Sequence, residues 1–531
     1  MVKFKIHIIY TAEIKLKRTI AFLLTHCMLL GLCGCSSGGI STFTVPVSKM
    51  PTCLDPQTAT AETDLLVLTN IFDGLFEKQN GKIVNNVATD CVISPDGTKY
   101  TITIREDSVF HCRTDKEEKY DGKTVTAEDF VFGISRVLLP ETKSPYAADF
   151  INIKGAESVL AGGDLSGLGI FAPDEKTIVI ELENPDFNFK EKLCLAAAFP
   201  CDKEFFESTK GSYGLSVNNI LSNGPFKLNY IDAEQATIVK TAEKTDGLDR
   251  IRLLLLKDTS AENLYKDGKI SGFFSYGNKT ETYRSTDAVS FESDIIYLTF
   301  NTDNSYLSNS KIRQALSYYA FAFENSGANK DAVIPAYSIF PNILTYDGKY
   351  LSELLADKTP SYINQNPKSL LTAGDSEVNA SKSAALSVLI PSDSYYKPVF
   401  DNINQIWQKD LNLYFTVEYL TLSEIQTRVE NKDFDIAFLP MSAKSDSVYS
   451  VLDKFTRIDG NLSETVSTAK SLSNSAEALK YISAAEDIIL ENAYLTPVAG
   501  ENTIFYCDSA FKNIIIDPFT KVIILKYVSV Q

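Results

Sequence analysis

Residues 296–320, IYLTFNTDNSYLSNSKIRQALSYYA, constrain the fold of this chain more than any other stretch. Ile296, Leu298 and Phe300 alternate with Tyr297, Thr299 and Asn301, the period of two that a strand requires. Residues 301–309 are polar and rich in turn formers, among them Asp303, Asn304 and Ser308, so the chain leaves the strand in a loop. Ile312, Ala315, Leu316 and Tyr319 then recur at helical spacing, with Ser308 or Ser310 placed to cap the helix start. Strand, loop and helix in that order make one unit of an α/β layer. At 531 residues the chain is too long for a single core of that kind, and two or three domains are expected.

Charge narrows the function. Lys and Arg number 51 against 68 Asp and Glu, a formal charge of −17. The first 34 residues carry Lys3, Lys5, Lys15, Lys17 and Arg18 against Glu13 alone, so the remainder is more acidic still. Such a surface repels phosphate backbones and anionic lipid, and no nucleic-acid partner is expected. The basic start runs into an apolar segment, 19–32, too short to span a bilayer comfortably, and no later run approaches that length. Leu32-Cys33-Gly34-Cys35 then resembles the bacterial lipobox, whose Cys is acylated and becomes the new N-terminus. On that likeness 1–34 is a lipoprotein signal peptide, Cys35 the lipid anchor and 35–42 a flexible tether. A cleaved secretory signal without lipid is the other reading. Either places the chain outside the cytoplasm.

Nine cysteines occur, and six lie beyond the leader and anchor: Cys53, Cys91, Cys112, Cys194, Cys201 and Cys507. Three disulfides or buried free thiols both fit an exported chain. Cys91/Cys112 and Cys194/Cys201 are the closest pairs in sequence, and spacing assigns neither. His111 is the single histidine after the leader, which excludes a multi-histidine metal site. Any Ser-His-Asp or Cys-His device would have to use it. Cys91, His111 and Cys112 could ligate zinc only if neighbouring strand residues shared a face, which they do not. G-x-S-x-G, H-E-x-x-H and phosphate-cradling glycine loops are absent. No enzyme, metal or cofactor is expected.

Several motifs carry a family resemblance. Leu54-Asp55-Pro56 ends a short strand, and a helix over 62–72 follows with Leu65, Leu68, Thr69 and Phe72 on one side. It closes in Phe72-Asp73-Gly74-Leu75, where Gly74 can supply a left-handed stop. Two strands flank Ser94-Pro95-Asp96-Gly97, and Val109-Phe110-His111 and Asp121-Gly122-Lys123 come next. Thr126 and Asp129 then form a capping box before the apolar stripe Phe130, Ile134, Val137, Leu138. With Ser222-Asn223-Gly224-Pro225-Phe226 and residues 296–320, these segments resemble the type II solute-binding proteins of the oligopeptide-, dipeptide- and nickel-binding class, family 5 of the bacterial ABC-transporter receptors. The likeness covers nearly the whole mature chain, apart from an insertion at 112–120 and thinner matches over 327–383 and 441–473. Beyond the pivot, 335–341 and 357–382 read as loops, 400–411 as a helix stopped by Asn412 with Trp407 inward, 422–430 as a helix, 434–439 as a strand and 476–491 as the last long helix.

The resemblance implies an α/β fold of the type II periplasmic-binding-protein-like clamp, two lobes joined by a hinge, with an extra small subdomain in the first lobe. It divides the chain into 43–78 (first part of lobe 1), 79–205 (small subdomain), 206–296 (second part of lobe 1), 297–498 (lobe 2) and 499–531 (return to lobe 1). It also implies three ligand-binding segments: Ala61, Glu62 and Thr63; Tyr146, after Ser144-Pro145; and Met441, Ser442, Lys444 and Asp446. Counting back without gaps from Val451-Leu452-Asp453-Lys454-Phe455 puts Lys444 where peptide binders carry the Asp for the ligand ammonium. A slip of two puts Asp446 there. A lysine at that place favours an anion, an aspartate an ammonium, and both stay open.

The implied function is that of a monomeric, lipid-anchored substrate-binding component of an ABC importer. It would capture small solutes, foremost oligopeptides, by lobe closure and pass them to permease and ATPase subunits. A clamp of the same fold that takes an anionic solute, or serves as peptide chaperone or sensor, is the alternative. An exported hydrolase would depend on His111.

Overall fold

Four strands of the first lobe form a sheet in the order Thr42–Val47, Arg250–Leu255, Gln235–Lys240, Phe226–Ile231. The computed structural model describes residues 41–531 except 80–81, 114–118, 242–246, 258, 277–282, 284–285, 324–333, 379–385, 393–395 and 443–446. The signal peptide and Cys35 therefore lie outside the described residues. Residues 43–531 form one unit.

The helix Glu62–Ile71 lays Leu66, Val67, Leu68 and Ile71 on that sheet, against Phe43, Val45, Ile238, Ile251 and Leu253. Its buried side is therefore not the one that Leu65 and Thr69 suggest, and both of these are half-buried. It ends because Phe72 turns extended (φ −115°, ψ 149°), not through a left-handed glycine. Gly74 is small for another reason: a Cβ there would lie 2.9 Å from the Phe199 ring. The expected strand at Leu54-Asp55-Pro56 is a loop, held instead by Arg136, which donates to Asp55 Oδ1 at 3.1 Å and Oδ2 at 2.5 Å.

A second core, from Leu75 to Leu221, surrounds a sheet ordered Ala88–Ile93, Lys99–Ile104, Thr177–Glu181, Ile170–Asp174. The helix Ala127–Leu138 packs there through Phe130, Ile134, Val137 and Leu138, all fully buried. Its capping box forms as expected, with Thr126 N donating to Asp129 Oδ2 at 2.7 Å.

The second lobe is built on a larger sheet. Its path runs Gly272–Tyr276, Leu495–Asp508, Thr286–Phe300, Ile436–Ser442, Ser387–Pro391, Thr416–Leu420, with Ile334–Pro335 beside Leu495–Asp508. Ser387–Pro391 runs parallel to both of its neighbours, so helical crossovers are required. They are Tyr396–Ile406 with the turn Trp407–Leu411, stopped by Asn412 in the left-handed region (φ 54°), and Leu422–Glu430. Trp407 is core, and its Nε1 donates to the Leu316 carbonyl at 3.0 Å.

The strand within 296–320 starts ten residues early, at Thr286. Ile296, Leu298 and Phe300 enter one core while Ile295 and Tyr297 enter another, because this sheet is covered on both faces. Ile312, Ala315, Leu316 and Tyr319 are buried as expected on the helix Ser310–Ala320. Neither serine caps it. Ser308 donates to the Ser305 carbonyl, Ser310 is already helical, and Asn309 Oδ1 accepts from Lys311 N at 2.9 Å. Part of 357–382, expected as loop, is the helix Pro367–Glu377, started by Asn366 with proline in its first turn.

Cys53, Cys91, Cys194, Cys201 and Cys507 are free thiols, and burial pushes Cys194, Cys201 and Cys507 up to about 12, so these three stay protonated and inert. No helix among the described residues is long and apolar enough to cross a membrane.

Burial pushes the Asp129 carboxyl up to about 6, against the pull of its Thr126 hydrogen bonds. The folded chain thus holds this proton more tightly than the unfolded chain does. Its contribution to stability is greatest at low pH and falls as pH rises from about 4 to about 6. Asp129→Asn keeps an acceptor for Thr126 N and removes that loss. The variant's urea midpoint should gain on wild type between about pH 4 and about pH 7, by an equivalent of about 1–3 kcal/mol. A gap independent of pH would refute this.

Candidate functional site

Two strands, Thr286–Phe300 and Leu495–Asp508, pass between the lobes as an antiparallel pair. At one end Phe505 and Cys507 sit in the first-lobe core. At the other, Ile296, Leu298, Val498 and Ala499 sit in the second. Their register shifts between Glu292 and Asp294 and again between Ile296 and Tyr297. Bulges bend and overtwist a strand, so the change of direction between lobes is placed there.

Carboxylates gather at this crossover. Glu292, Asp294 and Glu501 are all buried. Glu292 accepts from Asn342 Nδ2 at 3.1 Å, and burial still pushes its carboxyl above the usual range. Asp294 accepts from Lys521 Nζ at 3.2 Å. A Cβ at Gly500 would lie 2.4 Å from Glu292 Oε2, so any side chain there has to displace that carboxylate.

Lys521 is delivered by the C-terminal hairpin of Ile515–Asp517 and Val522–Ile524. That hairpin is fastened to the helix Glu62–Ile71 through Asn70, whose Nδ2 donates to Ile523 O at 2.9 Å and whose Oδ1 accepts from Leu525 N at 2.7 Å. Lys521 thereby comes close enough to act on Glu62. Burial pushes the Glu62 carboxyl up and Lys521 pulls it back. Glu62 is nevertheless exposed to solvent.

The expected site residues fall as follows. Ala61 caps the helix with backbone alone, Glu62 is exposed, and Thr63 is buried. Tyr146 lies beside them: its hydroxyl donates to Ala59 O at 2.6 Å, and burial raises the phenol to about 12. Met441 and Ser442 end the strand Ile436–Ser442, their backbones opposite Ile295 and Asp294. Lys444 and Asp446 lie outside the described residues. The structure thus leads from Glu62 through Lys521 and Asp294 to Ser442, linking the first expected segment with the third.

Glu292, Asp294, Glu501, Asn342 and Lys521 were not anticipated from sequence. The available signal was the acidic pair around Ser293, directly before the apolar run Ile295–Leu298. His111 has a structural place among the described residues. It bridges Ser222 in a strand pair, and burial lowers its pKa despite Asp121 at 3.9 Å. No group of metal-ligating side chains occurs among the described residues.

Gly500→Ala should displace Glu292 and lower stability by about 1–3 kcal/mol, read as a shifted denaturation midpoint. Gly460→Ala, at an exposed helix start with nothing near its Cβ, is the control and should leave the midpoint unchanged or raised. Equal midpoints for the two variants would contradict the close approach.

Known proteins share this architecture. The profile described as bacterial extracellular solute-binding proteins, family 5 Middle, matches residues 82–462. The oligopeptide-binding protein AliB of Streptococcus pneumoniae is 25% identical over 378 residues, 63% of this chain and 57% of AliB. The chain therefore aligns with little more than half of that relative. The oligopeptide-binding protein OppA of Bacillus subtilis is 24% identical over 455 residues, 81% of this chain and 80% of OppA. Among solved structures, the pheromone receptor PrgZ superposes with a TM-score of 0.72 at 22% identity, over 93% of this chain and 100% of PrgZ. Listeria monocytogenes OppA bound to peptide gives 0.69 at 21%, over 93% and 100%. At such identities the likeness is one of fold, the α/β clamp of two lobes. Because the profile spans well over half of its residues, this chain belongs to the bacterial extracellular solute-binding proteins of family 5.

Proposed function

We propose that the protein is the extracytoplasmic substrate-binding component of an ABC importer, held to the bacterial membrane through a lipid on Cys35. It captures oligopeptides by closing its lobes about the crossing strands, and hands them to a permease with its ATPase subunits. The observation that carries the peptide reading is the charge of the crossover. Burial pushes up the carboxyls of Glu62 and Glu292 there, so both gain from a cation placed beside them. A peptide ammonium suits that field, and an anionic solute would meet an excess of like charge. The names of AliB and the two OppA proteins, all oligopeptide binders, point the same way.

On this reading Ala61, Glu62 and Thr63 with Tyr146 form one wall of the binding cleft, and the segment beginning at Met441 and Ser442 forms the other. The divisions 43–78, 79–205 and 206–296 make the first lobe, 297–498 the second, and 499–531 the return. Binding needs no catalyst, and the family is one of receptors, not enzymes.

Native mass spectrometry of the soluble form beginning at Ser36 tests the cargo. Bound masses matching short peptides are expected, and after stripping, N-acetylated peptides should bind about tenfold or more weakly than free ones. Uptake of anionic solutes with no peptide bound would sink the proposal. For the anchor, labelled palmitate should be incorporated by the full chain and lost in Cys35→Ala. Equal labelling of both would remove Cys35 from that role.

A further inference from the structure

The turn at 55–59 stands directly before the candidate binding segment, with only Thr60 and Ala61 between it and the exposed Glu62. Its internal bonds are few: Asp55 O accepts from Thr58 N at 3.0 Å and from Ala59 N at 2.9 Å. What holds it in place comes from segments built around the core of 75–221. Arg136, on the helix Ala127–Leu138, donates to both oxygens of Asp55 and through Nη1 to Gln57 Oε1 at 2.5 Å. Its guanidinium is itself steadied by the Phe206 ring, 3.9 Å away at the centroid. Gln57 Nε2 donates to the carbonyls of Ala197 at 3.3 Å and Phe199 at 3.1 Å. Ser144 Oγ donates to Gln57 O at 2.6 Å, and the Tyr146 hydroxyl donates to Ala59 O at 2.6 Å.

Gln57 is fully buried, and its amide has one workable orientation. Reversed, its NH2 would face the Arg136 guanidinium and its oxygen two carbonyls. Close approach from two sides completes the seat. A Cβ at Gly133, one helical turn before Arg136, would lie 2.5 Å from Phe199 O and 3.4 Å from Gln57 Nε2, and one at Gly214 would lie 2.3 Å from Asp55 N. The helix Glu62–Ile71 is tied to the same loop. Asp64 Oδ1 accepts from Thr52 N at 2.7 Å and Cys53 N at 3.2 Å, and Leu65 N donates to Ala61 O at 2.9 Å.

A single buried Arg–Asp pair would attach the loop to the core. Here side chains from separate segments also take up the carbonyls of Gln57 and Ala59, which no strand ladder satisfies, and so set the path of the backbone residue by residue.

We propose that Arg136, Gln57 and Ser144 are positioning residues for peptide capture. Through them the small subdomain fixes the turn at 55–59, and with it the wall at 61–63, without touching the peptide. The proposal rests on the peptide reading above and gives the small subdomain its part in it. A binding segment held ready raises affinity because binding no longer has to order it. Loosening the seat leaves only a fraction of molecules with the wall in place, and apparent affinity falls by that fraction.

The probe is the tightest binder that native mass spectrometry finds in a mixed pool of short peptides, titrated by calorimetry into the soluble chain from Ser36. Gln57→Glu keeps an acceptor for Arg136 but sets a carboxylate oxygen against the Ala197 and Phe199 carbonyls. Ser144→Ala removes the bond to Gln57 O, and Ser144→Thr restores a hydroxyl. Gln57→Glu and Ser144→Ala should each weaken binding about threefold to tenfold, with faster amide exchange at Ala59 and Leu65 in the free protein. Ser144→Thr should bind within about twofold of wild type. Tyr100→Phe is the control, since it removes a bond to the Asp186 carbonyl in the same subdomain that does not involve the turn. It should lower the unfolding midpoint and leave affinity and exchange at both amides unchanged. Ser144 is only half-buried, so Ser144→Ala with Ser144→Thr decides the matter if Gln57→Glu fails to fold. Unchanged affinity in Ser144→Ala, or an equal loss in Tyr100→Phe, overturns the positioning role and leaves peptide capture standing. Failure of the wild-type chain to bind any peptide of the pool overturns both readings.

Discussion

Backbone pairing between Thr286–Phe300 and Leu495–Asp508 ties the two lobes together, and at its centre the sheet is narrow. Gly272–Tyr276 reaches only as far as Thr503, and Ile436–Ser442 only as far as Asp294. Around Glu292 and Asn502, among the described residues, two strands stand alone. A two-stranded ribbon twists more easily than a broad sheet, and the register shift beside Glu292 adds to that freedom. The lobes on either side have separate cores, each rich in fully buried aromatic and aliphatic side chains. Bending is therefore concentrated in a few residues while the lobes stay rigid.

Buried ions are treated differently in the scaffold and in the cleft. Within the first lobe Arg136 meets Asp55 through two bonds, and Lys526 is held by Asp73 at 2.9 Å and Glu77 at 2.5 Å. In the second lobe Arg313 has no carboxylate but donates to the carbonyls of Leu307, Ser308 and Asn492. It closes the end of the helix Ser475–Glu491, and burial lowers its pKa to about 10. Each of these charges is answered by the fold itself, which fixes geometry even where the net energy is modest. At the crossover the carboxyls of Glu62 and Glu292 are instead pushed up by burial. Completeness in the scaffold and incompleteness in the cleft separate what folds the chain from what it can hold.

Local signals in the sequence were the dependable ones. Thr126 with Asp129, Asn412 as a left-handed stop, and the helix Leu422–Glu430 depend on residues within one or two turns of each other. Asn309 displaced two serines because the cap position fell one residue away from either candidate, a difference periodicity does not resolve. The helix Pro367–Glu377 was hidden by its polar face, although Asn366 followed by Pro367 is a helix-start signal. Gly74 was assigned a backbone role when its constraint is the distant Phe199 ring. The candidate site was legible only through family resemblance, which supplied Ala61, Glu62, Thr63 and Tyr146. Glu292, Lys521 and Glu501 come from segments hundreds of residues from Glu62, and only folding brings them together. Charge directly before an apolar strand run, as at Glu292 and Asp294, is the trace such convergence leaves.

That trace bears on how closure is driven under the proposed function. Bringing acidic walls together around water alone strips hydration from carboxylates and brings like charges nearer, so the empty chain resists closing. A solute with positive charge reverses both terms. It replaces lost water at Glu62 and Glu292. The difference between its contacts in the open and closed arrangements is all that can shift the equilibrium. Selection among solutes therefore rests with the charges facing the cleft, and the ribbon between the lobes only has to permit the movement.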